Sequence, residues 1–264
     1  MGPATVQSSV VIRSGSSAVA ARSARVALHC PTVCSTCNFR ELCLPCGLRN
    51  TDIAEMDGLI YSRERVKRGE HVYRAGDPFK SLFAFRSGFY KSYVISEDGR
   101  VQVTGFQMAG DIMGLDGIEC DRHIQGVVAL DDGEVCTIPY ARLMDLACRV
   151  PELQRAVQRM MGREIVREQG LMLLLGSMRA EARVATFLLN LSQRFSERGY
   201  SSTEFNLRMT RDEIGSYLGL KLETVSRILS AMQRRGLIEI LQRYVRILDH
   251  VGLRELLGQD LRLQ

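Results

Sequence analysis

Hydrophobic and polar positions follow two different periods along this chain. Between residues 64 and 138 the apolar runs are short and separated by glycines, as in Leu82–Phe85 and Tyr90–Ile95, which is typical of antiparallel strands joined by tight turns. Ser96–Arg100 contains the Asp-Gly pair that favours a hairpin. From Pro151 onwards apolar residues recur every three or four positions, which is the helical period. We therefore predict an α+β fold in which a β roll precedes a set of helices.

A long helix is predicted over residues 151–177, and its apolar stripe allows two interpretations. Such a stripe commonly packs into the core of its own subunit. With the small residues Gly162 and Gly170 beside it, the stripe also suits a seam between two identical subunits. Glu168 fills the one gap, either exposed to solvent or facing its own copy, where like charges would weaken the dimer. The candidate dimerisation residues are Val157, Met161, Ile165, Glu168 and Met172.

The C-terminal part carries the pattern of a winged helix-turn-helix. Thr210–Glu213 is a capping box, in which the first and last side chains each satisfy a backbone N–H group of the other residue. The helix that it starts breaks at Gly219, and a second helix over 222–229 has one apolar face. Two apolar runs over 237–241 and 244–248 predict a small β wing beside these helices.

The second helix of this motif presents side chains that suit the major groove of DNA. Glu223, Ser226 and Arg227 lie on its outward face, where Arg can bind the acceptor edge of guanine and Glu can accept from cytosine. The segment 205–246 holds eight basic and four acidic residues, so it carries +4 of the chain's net +5 and favours a polyanionic partner. The candidate phosphate contacts are Arg211, Lys221, Arg234 and Arg235.

The eight cysteines are distributed unevenly, with five of them between residues 30 and 46. A disulfide framework is one explanation, but 264 residues with 45% hydrophobic content can form a core without cross-links. The N-terminal residues also do not resemble a secretory leader. We therefore expect a reducing compartment and a metal or redox role. Three thiols within ten residues, those of Cys34, Cys37 and Cys43, are the primary candidate ligands.

The cysteine spacing leaves the nature of the bound group open. Cys46 lies three residues beyond Cys43 and would complete an all-local set that zinc accepts. Cys30, Cys34 and Cys37 match the C-x3-C-x2-C motif of radical S-adenosylmethionine enzymes. Such enzymes need a parallel α/β barrel, which the glycine-punctuated strands do not predict. Two further thiols are expected to be ordinary buried or free cysteines: Cys120 and Cys148.

Five short motifs carry a resemblance to a known family. The first is C-x2-C-x5-C at Cys34–Cys43, and the roll contributes Arg74–Leu82 and Gly110–Gly114. The helix-turn-helix contributes Thr210–Gly215 and Glu223–Arg227. Together they resemble the fumarate-and-nitrate-reduction regulators (FNR), the oxygen-sensing branch of the cyclic-AMP receptor protein superfamily. The resemblance covers roughly residues 29–250.

This resemblance implies a [4Fe-4S] cluster held by Cys34, Cys37, Cys43 and, from the roll, Cys136. It implies a homodimer that forms through the long helix, binds an inverted repeat in double-stranded DNA, and releases it after oxygen converts the cluster. RNA polymerase would be a further partner, and Ser96–Arg100 is either a contact for it or an ordinary solvated hairpin. The spare cysteines would be Cys30, Cys46, Cys120 and Cys148.

Two features depart from the family pattern. Lys221 opens the recognition helix where the family often has a capping Thr, so a hydroxyl cap worth about 1 kcal/mol is missing. The nucleotide-binding branch uses Gly-Glu-Leu and a later Arg-Ser pair to hold the sugar and phosphate. Here Gly114 is followed by Leu115-Asp116, and Gln125–Gly126 offers no such pair. We therefore expect no cyclic-nucleotide binding, with a nucleotide-responsive regulator as the alternative.

The predicted organisation has five parts. Residues 1–28, with three arginines and no acid, are expected to be a disordered extension rather than the organellar transit peptide that they superficially resemble. No apolar stretch approaches the roughly 20 residues that span a bilayer, so we expect a cytoplasmic protein without a membrane anchor. The other parts are a cluster-binding segment (29–48), a sensory roll (49–150), a dimerisation helix (151–177) and a DNA-binding domain (178–264).

Overall fold

A computed structural model describes residues 27–28, 34–58 and 62–258 of the chain. The described part of the N-terminal half is mostly strands, followed by helices. Its strands are β1 (Ala27–Leu28), β2 (Ser62–Val66), β3 (His71–Tyr73), β4 (Ser81–Ser87), β5 (Phe89–Ile95), β6 (Val101–Met108), β7 (Ile112–Met113), β8 (Gly126–Ala129) and β9 (Gly133–Pro139). The helices are α1 (Asn50–Asp57), α2 (Tyr140–Arg149), α3 (Pro151–Ser177) and α4 (Ala180–Glu197).

The β roll consists of two antiparallel sheets. One has the strand order β1-β2-β9-β4-β7 and the other has the order β3-β8-β5-β6. The interior between them is apolar and includes Val66, Phe85, Tyr90 and Val127. The hairpin between β5 and β6 turns at the Asp-Gly pair of Ser96–Arg100, as the sequence predicts. The α+β fold with an N-terminal roll is thus confirmed.

The predicted disordered extension over 1–28 needs one correction. Residues 1–26 lie outside the described part of the chain, but Ala27–Leu28 form a short strand that pairs antiparallel with β2. These two residues face Glu64 and Arg63 across the ladder. Strand β2 would otherwise be the edge of its sheet, and its unpaired backbone groups offer a template for pairing. Local composition gives no sign of such a long-range partner.

Helix α3 begins with Pro151 in its first turn, where the missing N–H costs nothing, and ends at Ser177. Its first half packs against α2, with Leu153, Val157 and Met160 buried in the same cluster as Leu143. The second half leaves several apolar side chains exposed, namely Ile165, Val166, Met172 and Leu173. The core interpretation therefore holds for the first half of the helix and for Leu174, while the seam between two subunits stays a prediction for the exposed apolar residues.

The core of the C-terminal domain also includes Phe106 and Met108 of the roll, and the domain itself consists of α4 and the elements after it. These are β10 (Glu204–Asn206), α5 (Arg211–Leu218), α6 (Leu222–Arg234), β11 (Ile238–Leu241), β12 (Tyr244–Ile247) and α7 (His250–Glu255). The wing is a three-stranded sheet in the order β10-β12-β11, so the predicted hairpin has an additional strand. None of the described helices is long and apolar enough to cross a bilayer.

Candidate functional site

Four cysteine side chains line one cavity between the N-terminal segment and the roll. They are Cys34, Cys37, Cys43 and Cys136, although Cys136 is far from the other three in sequence. The rest of the lining is mostly apolar and also includes two arginines: Phe39, Arg40, Leu44, Pro45, Met56, Ala84, Phe85, Arg86 and Ile138. The four thiols implied by the family resemblance therefore lie together, with Cys34 and Cys136 buried and Cys37 and Cys43 partly buried.

The segment that carries three of these thiols is a series of tight turns. Cys34 begins a 3-10 turn, and its carbonyl accepts a hydrogen bond from the backbone N–H of Cys37 at 3.1 Å. The next residue, Ser35, donates its hydroxyl to Asp57 at the end of α1 at 2.8 Å. The N–H of Cys43 donates to the carbonyl of Phe39 at 3.0 Å. These bonds fold the segment back on itself, so its thiols point to a common side.

Cys136 is held far more rigidly than the other three. It lies in β9, which pairs with β2 on one side and β4 on the other, opposite Arg63 and Ala84. The side chain is buried, with 8% of its surface exposed. A central strand fixes both the position and the direction of this thiol, because side chains alternate strictly between the faces of a sheet.

Burial raises the pKa of three of these thiols, those of Cys34, Cys43 and Cys136. Burial raises the pKa of Cys43 to about 12, and the nearby Cys136 and Cys37 add to the effect. Burial likewise raises the pKa of Cys136 to about 11. The pKa of Cys34 is raised as well, first by burial and then by Cys43 and Asp57. A thiolate is the form that binds metals, so only strong positive charge in the cavity would deprotonate this set.

The other cysteines do not share this environment. Cys46 is partly buried but does not line the cavity, while Cys120 and Cys148 are exposed. Cys30 lies outside the described residues. Across 34–58 and 62–258, no three Cys, His, Asp or Glu side chains are close enough to hold a single metal ion. The thiols therefore surround a space rather than converge on one point.

The helix-turn-helix has the local geometry that the sequence predicts. The Thr210 hydroxyl accepts from the N–H of Glu213 at 3.1 Å, and the Glu213 carboxylate accepts from the N–H of Thr210 at 2.7 Å. Gly219 ends α5 with a φ of 63°, in the left-handed region that favours glycine. At Gly215 an added Cβ would lie 2.5 Å from the carbonyl oxygen of Leu220, so only glycine lets the turn pack this closely.

The recognition helix α6 buries one face and exposes the other. Glu223 and Arg227 are exposed, Ser226 is half-buried, and Lys221 caps the helix without a side-chain hydrogen bond. The buried face consists of Val225, Ile228, Leu229 and Met232.

Most of the candidate phosphate contacts are available to a polyanion. Lys221 and Arg234 are exposed and Arg211 is half-buried, and within the described residues none of the three forms an ion pair. Arg235 differs, since its guanidinium donates to Glu181 of α4 at 2.7 Å. This bond holds the end of α6 against α4, a contact that local sequence could not reveal because 54 residues separate the pair.

Comparison with known proteins agrees with both halves of this architecture. The sequence profile of the cyclic nucleotide-binding domain matches residues 63–149, and that of the Crp-like helix-turn-helix domain matches residues 182–256. The transcriptional regulatory protein btr of Bordetella pertussis is 45% identical, over 86% of this chain and 94% of that protein. The fumarate and nitrate reduction regulatory protein of Escherichia coli K12 is 41% identical, over 87% and 92% respectively. This chain belongs to the FNR family of transcription regulators.

A solved structure supports this FNR-family assignment at the level of the fold. FixK2 from Bradyrhizobium japonicum superposes with a TM-score of 0.68 at 30% identity, covering 74% of this chain and 96% of that one. The relatives and the fold are those of DNA-binding regulators, not of enzymes. The radical S-adenosylmethionine alternative is therefore wrong, because an antiparallel roll follows the cysteine motif where a parallel barrel would be needed.

The predicted dimerisation residues of this FNR-family chain occupy two environments. Ile165 and Met172 are 58% and 65% exposed, and Glu168 is also exposed on the same part of α3. Met161 is partly buried. Val157 is only 3% exposed and packs inside its own subunit, so it cannot contribute much surface to a partner. The periodicity of the stripe did not distinguish these positions, since both environments demand apolar side chains.

Asp116, in the segment between β7 and β8, is held by residues that follow it in the chain. Asp116 Oδ2 accepts from the backbone N–H groups of Ile124 at 2.8 Å and Gln125 at 2.9 Å. Its Oδ1 lies 3.4 Å from the Nδ1 of His123. The chain thus matches the cyclic nucleotide-binding profile, and in this roll the Asp116 carboxylate is already bound by neighbouring groups of its own chain.

Proposed function

We propose that this chain is a cytoplasmic, oxygen-responsive transcription regulator. As a homodimer it binds an inverted repeat in double-stranded DNA while Cys34, Cys37, Cys43 and Cys136 hold a [4Fe-4S] cluster, and it releases DNA after oxygen converts the cluster. The proposal is supported by family membership and by relatives named for anaerobic control, such as the anaerobic regulatory protein of Pasteurella multocida at 42% identity. The single observation that carries it is the convergence of these four thiols on one cavity.

The donor set fits a cluster better than it fits zinc. Four thiolates are the usual ligands of a [4Fe-4S] cluster, whereas a zinc ion needs four donors at about 2.3 Å from one point. The described thiols line a shared space but form no single-ion group, and Cys46, which the zinc alternative needs, lies outside the lining. When bound, the cluster would supply the positive charge that deprotonates these thiols and an iron centre that reacts with oxygen.

The residues around the cavity would control both access and response. Phe39 and Leu44 cover it with apolar surface that keeps water out but admits a small neutral molecule. Cys136 stands on the rigid strand β9, while the other three ligands belong to a segment of turns. A cluster bound by all four thiolates would therefore connect this segment to the roll. Loss of the cluster would break that connection.

DNA binding would involve both subunits. The exposed apolar part of α3, around Ile165 and Met172, would pair with its copy and place two α6 helices on a twofold-symmetric site. Arg227 and Glu223 would contact base edges while Lys221 and Arg234 contact phosphates. At activated promoters the protein would also contact RNA polymerase, and the exposed Ser96–Arg100 hairpin is the candidate contact.

The proposal is tested by purifying the protein without oxygen and assaying iron, acid-labile sulfide and DNA binding before and after exposure to air. We expect about four irons and four sulfides per chain, given one cluster bound by four thiolates, and tight binding to an inverted repeat that is lost in air. Cyclic AMP added in excess should leave the DNA affinity unchanged, because around Gly114 and Gln125 the chain lacks the Gly-Glu-Leu and Arg-Ser residues with which the nucleotide-binding branch holds its ligand. A colourless protein that contains zinc and binds DNA equally well in air would refute the proposal.

A further inference from the structure

Asp111 lies at the contact between the roll and the DNA-binding domain. It follows β6 in the turn that leads to β7. One carboxylate oxygen accepts from the guanidinium of Arg198 at 2.7 Å, and the other accepts from the guanidinium of Arg194. The same carboxylate accepts from the backbone N–H of Met108 at 2.9 Å, which keeps the turn closed. Both arginines belong to the end of α4, so one side chain joins the two domains.

The two arginines also contact the backbone of the strand before this turn. Arg194 donates to the carbonyl of Phe106 at 2.8 Å, and Arg198 donates to the carbonyl of Ala109 at 2.6 Å. The Arg198 side chain is 4% exposed and that of Asp111 is 21% exposed. Water and salt therefore screen this ion pair little, and removing the carboxylate would leave two guanidinium groups poorly compensated.

The cysteine segment contacts the same turn from the other side. Leu42, the residue before Cys43, packs on Gly110 so closely that a Cβ added to Gly110 would lie 2.8 Å from the Cβ of Leu42. Gly110 has a φ of +91°, which other residues rarely adopt. Leu42, Gly110, Asp111 and Arg198 also border one cavity beside α3. Two adjacent residues of this turn thus contact the cysteine segment and the DNA-binding domain.

We infer that Asp111 is the positioning residue through which the cysteine segment sets the placement of the DNA-binding domain. When the segment is tied to Cys136, Leu42 holds Gly110, and the turn presents Asp111 to Arg194 and Arg198. When the tie is lost, Leu42 withdraws, the turn relaxes, and α4 with the helix-turn-helix behind it loses its fixed orientation. This inference rests on the proposed function, in which loss of the cluster is the event that releases the segment.

A more exposed ion pair between the same two domains provides a control. Asp131 lies 3.1 Å from the guanidinium of Arg208, and both side chains are nearly half exposed. This pair also joins the roll to the DNA-binding domain, but it is not part of the turn that Leu42 contacts. Leu48 is the corresponding control for Leu42, because it belongs to the same segment and is partly buried against the core cluster around Leu143, and within the described residues no contact of Leu48 with Gly110 is seen.

The experiment compares D111N with D131N, and L42A with L48A, by amide hydrogen exchange of the full-length protein. We expect exchange at the end of α4 to rise about tenfold in D111N and L42A, since local opening reports lost contacts, and to stay near wild type in D131N and L48A. R194Q removes only one of the two arginine contacts of Asp111, so it should give a smaller rise in exchange. An unchanged α4 in L42A, or equal effects of D111N and D131N, would overturn the inference.

A second readout compares DNA affinity before and after exposure to air. The ratio of the two affinities should fall at least fivefold in D111N, which is the lower end of typical coupling between sites, with iron and sulfide content unchanged. A wild-type ratio in D111N would contradict the inference. If the wild-type protein itself shows no response to air, the proposed function fails, and the exchange comparison still decides whether Leu42 acts on α4 through Asp111.

Discussion

Asp116 shows how one buried carboxylate organises part of the roll. Burial alone would raise its pKa, but hydrogen bonds from His123 and from the backbone of Gln125 and Ile124 outweigh burial and lower it. The ionised form is therefore the native one. Its charge holds the backbone of Ile124 and Gln125 just before β8.

This lowered pKa gives a pH dependence with a definite sign. The unfolded chain takes up the proton first, near pH 3.9, so the stabilisation by Asp116 is complete above that pH and is lost as pH falls through the lower folded-state value. In D116N the free energy of unfolding should depend less steeply on pH at the acid end. The slope should fall by up to about 1.4 kcal/mol per pH unit, the limit for one proton. Urea unfolding between pH 3 and 6 measures it. The exposed Glu97→Gln is the control, and identical slopes in all three proteins would contradict the assignment.

Helix α6 has a candidate phosphate contact and a missing side-chain cap at the same position. Lys221 has the extended backbone of an N-cap, yet its side chain makes no capping hydrogen bond. Thr210 performs that role for α5, so the two helices of the motif start differently. The sequence predicts this contrast because capping depends on residue type within a few positions, and the structure agrees with it.

Replacing Lys221 with Thr should change stability and DNA binding in opposite directions. The new cap should raise the free energy of unfolding by about 1 kcal/mol. Loss of a phosphate contact should weaken binding and reduce the slope of log K against log salt by about 0.9 per subunit. Fluorescence anisotropy over a salt series measures that slope, and the exposed Lys67→Thr in the roll is the control. A K221T slope equal to wild type would show that Lys221 does not contact phosphate.

Elements whose residues follow a regular spacing over a few positions could be predicted. Elements that form only by pairing with a distant strand could not. The helix over Pro151–Ser177, the capping box and the wing hairpin all follow from spacing within a few residues. Strand β10 and the pairing of Ala27–Leu28 with β2 were missed, because each is only two or three residues long and depends on a ladder partner far along the chain.

Two contacts between distant parts of the chain matter at the scale of the whole molecule. Only one of them could be inferred from the sequence. Cys136 could be assigned to the N-terminal thiols by family resemblance, and it lies in the same cavity. The contact of Asp111 with Arg194 and Arg198 gave no such signal, because charged residues at a domain boundary look like ordinary surface residues. An ion pair between residues far apart in sequence can be identified only when the arrangement of the domains is known.

Association of two copies should respond to Glu168, which is exposed beside Ile165 and Met172. If the two Glu168 carboxylates meet across the twofold axis, E168A removes their repulsion and should tighten the cluster-free dimer on the order of tenfold, or about 1.4 kcal/mol. Added salt should reduce this difference. Sedimentation equilibrium measures the constant, and Glu152→Ala at the other end of α3 is the control. An E168A dimer no tighter than wild type would place Glu168 away from the axis.

The most direct test of the central claim is the iron and sulfide content of Cys136→Ser protein purified without oxygen, measured beside Cys46→Ser. The account predicts that the cluster is lost or unstable in C136S, together with tight DNA binding, because the tie between the segment and β9 needs that thiolate. It predicts wild-type iron, sulfide and response to air in C46S. A C136S protein with a full cluster and a normal response to air, or a C46S protein without a cluster, would contradict it.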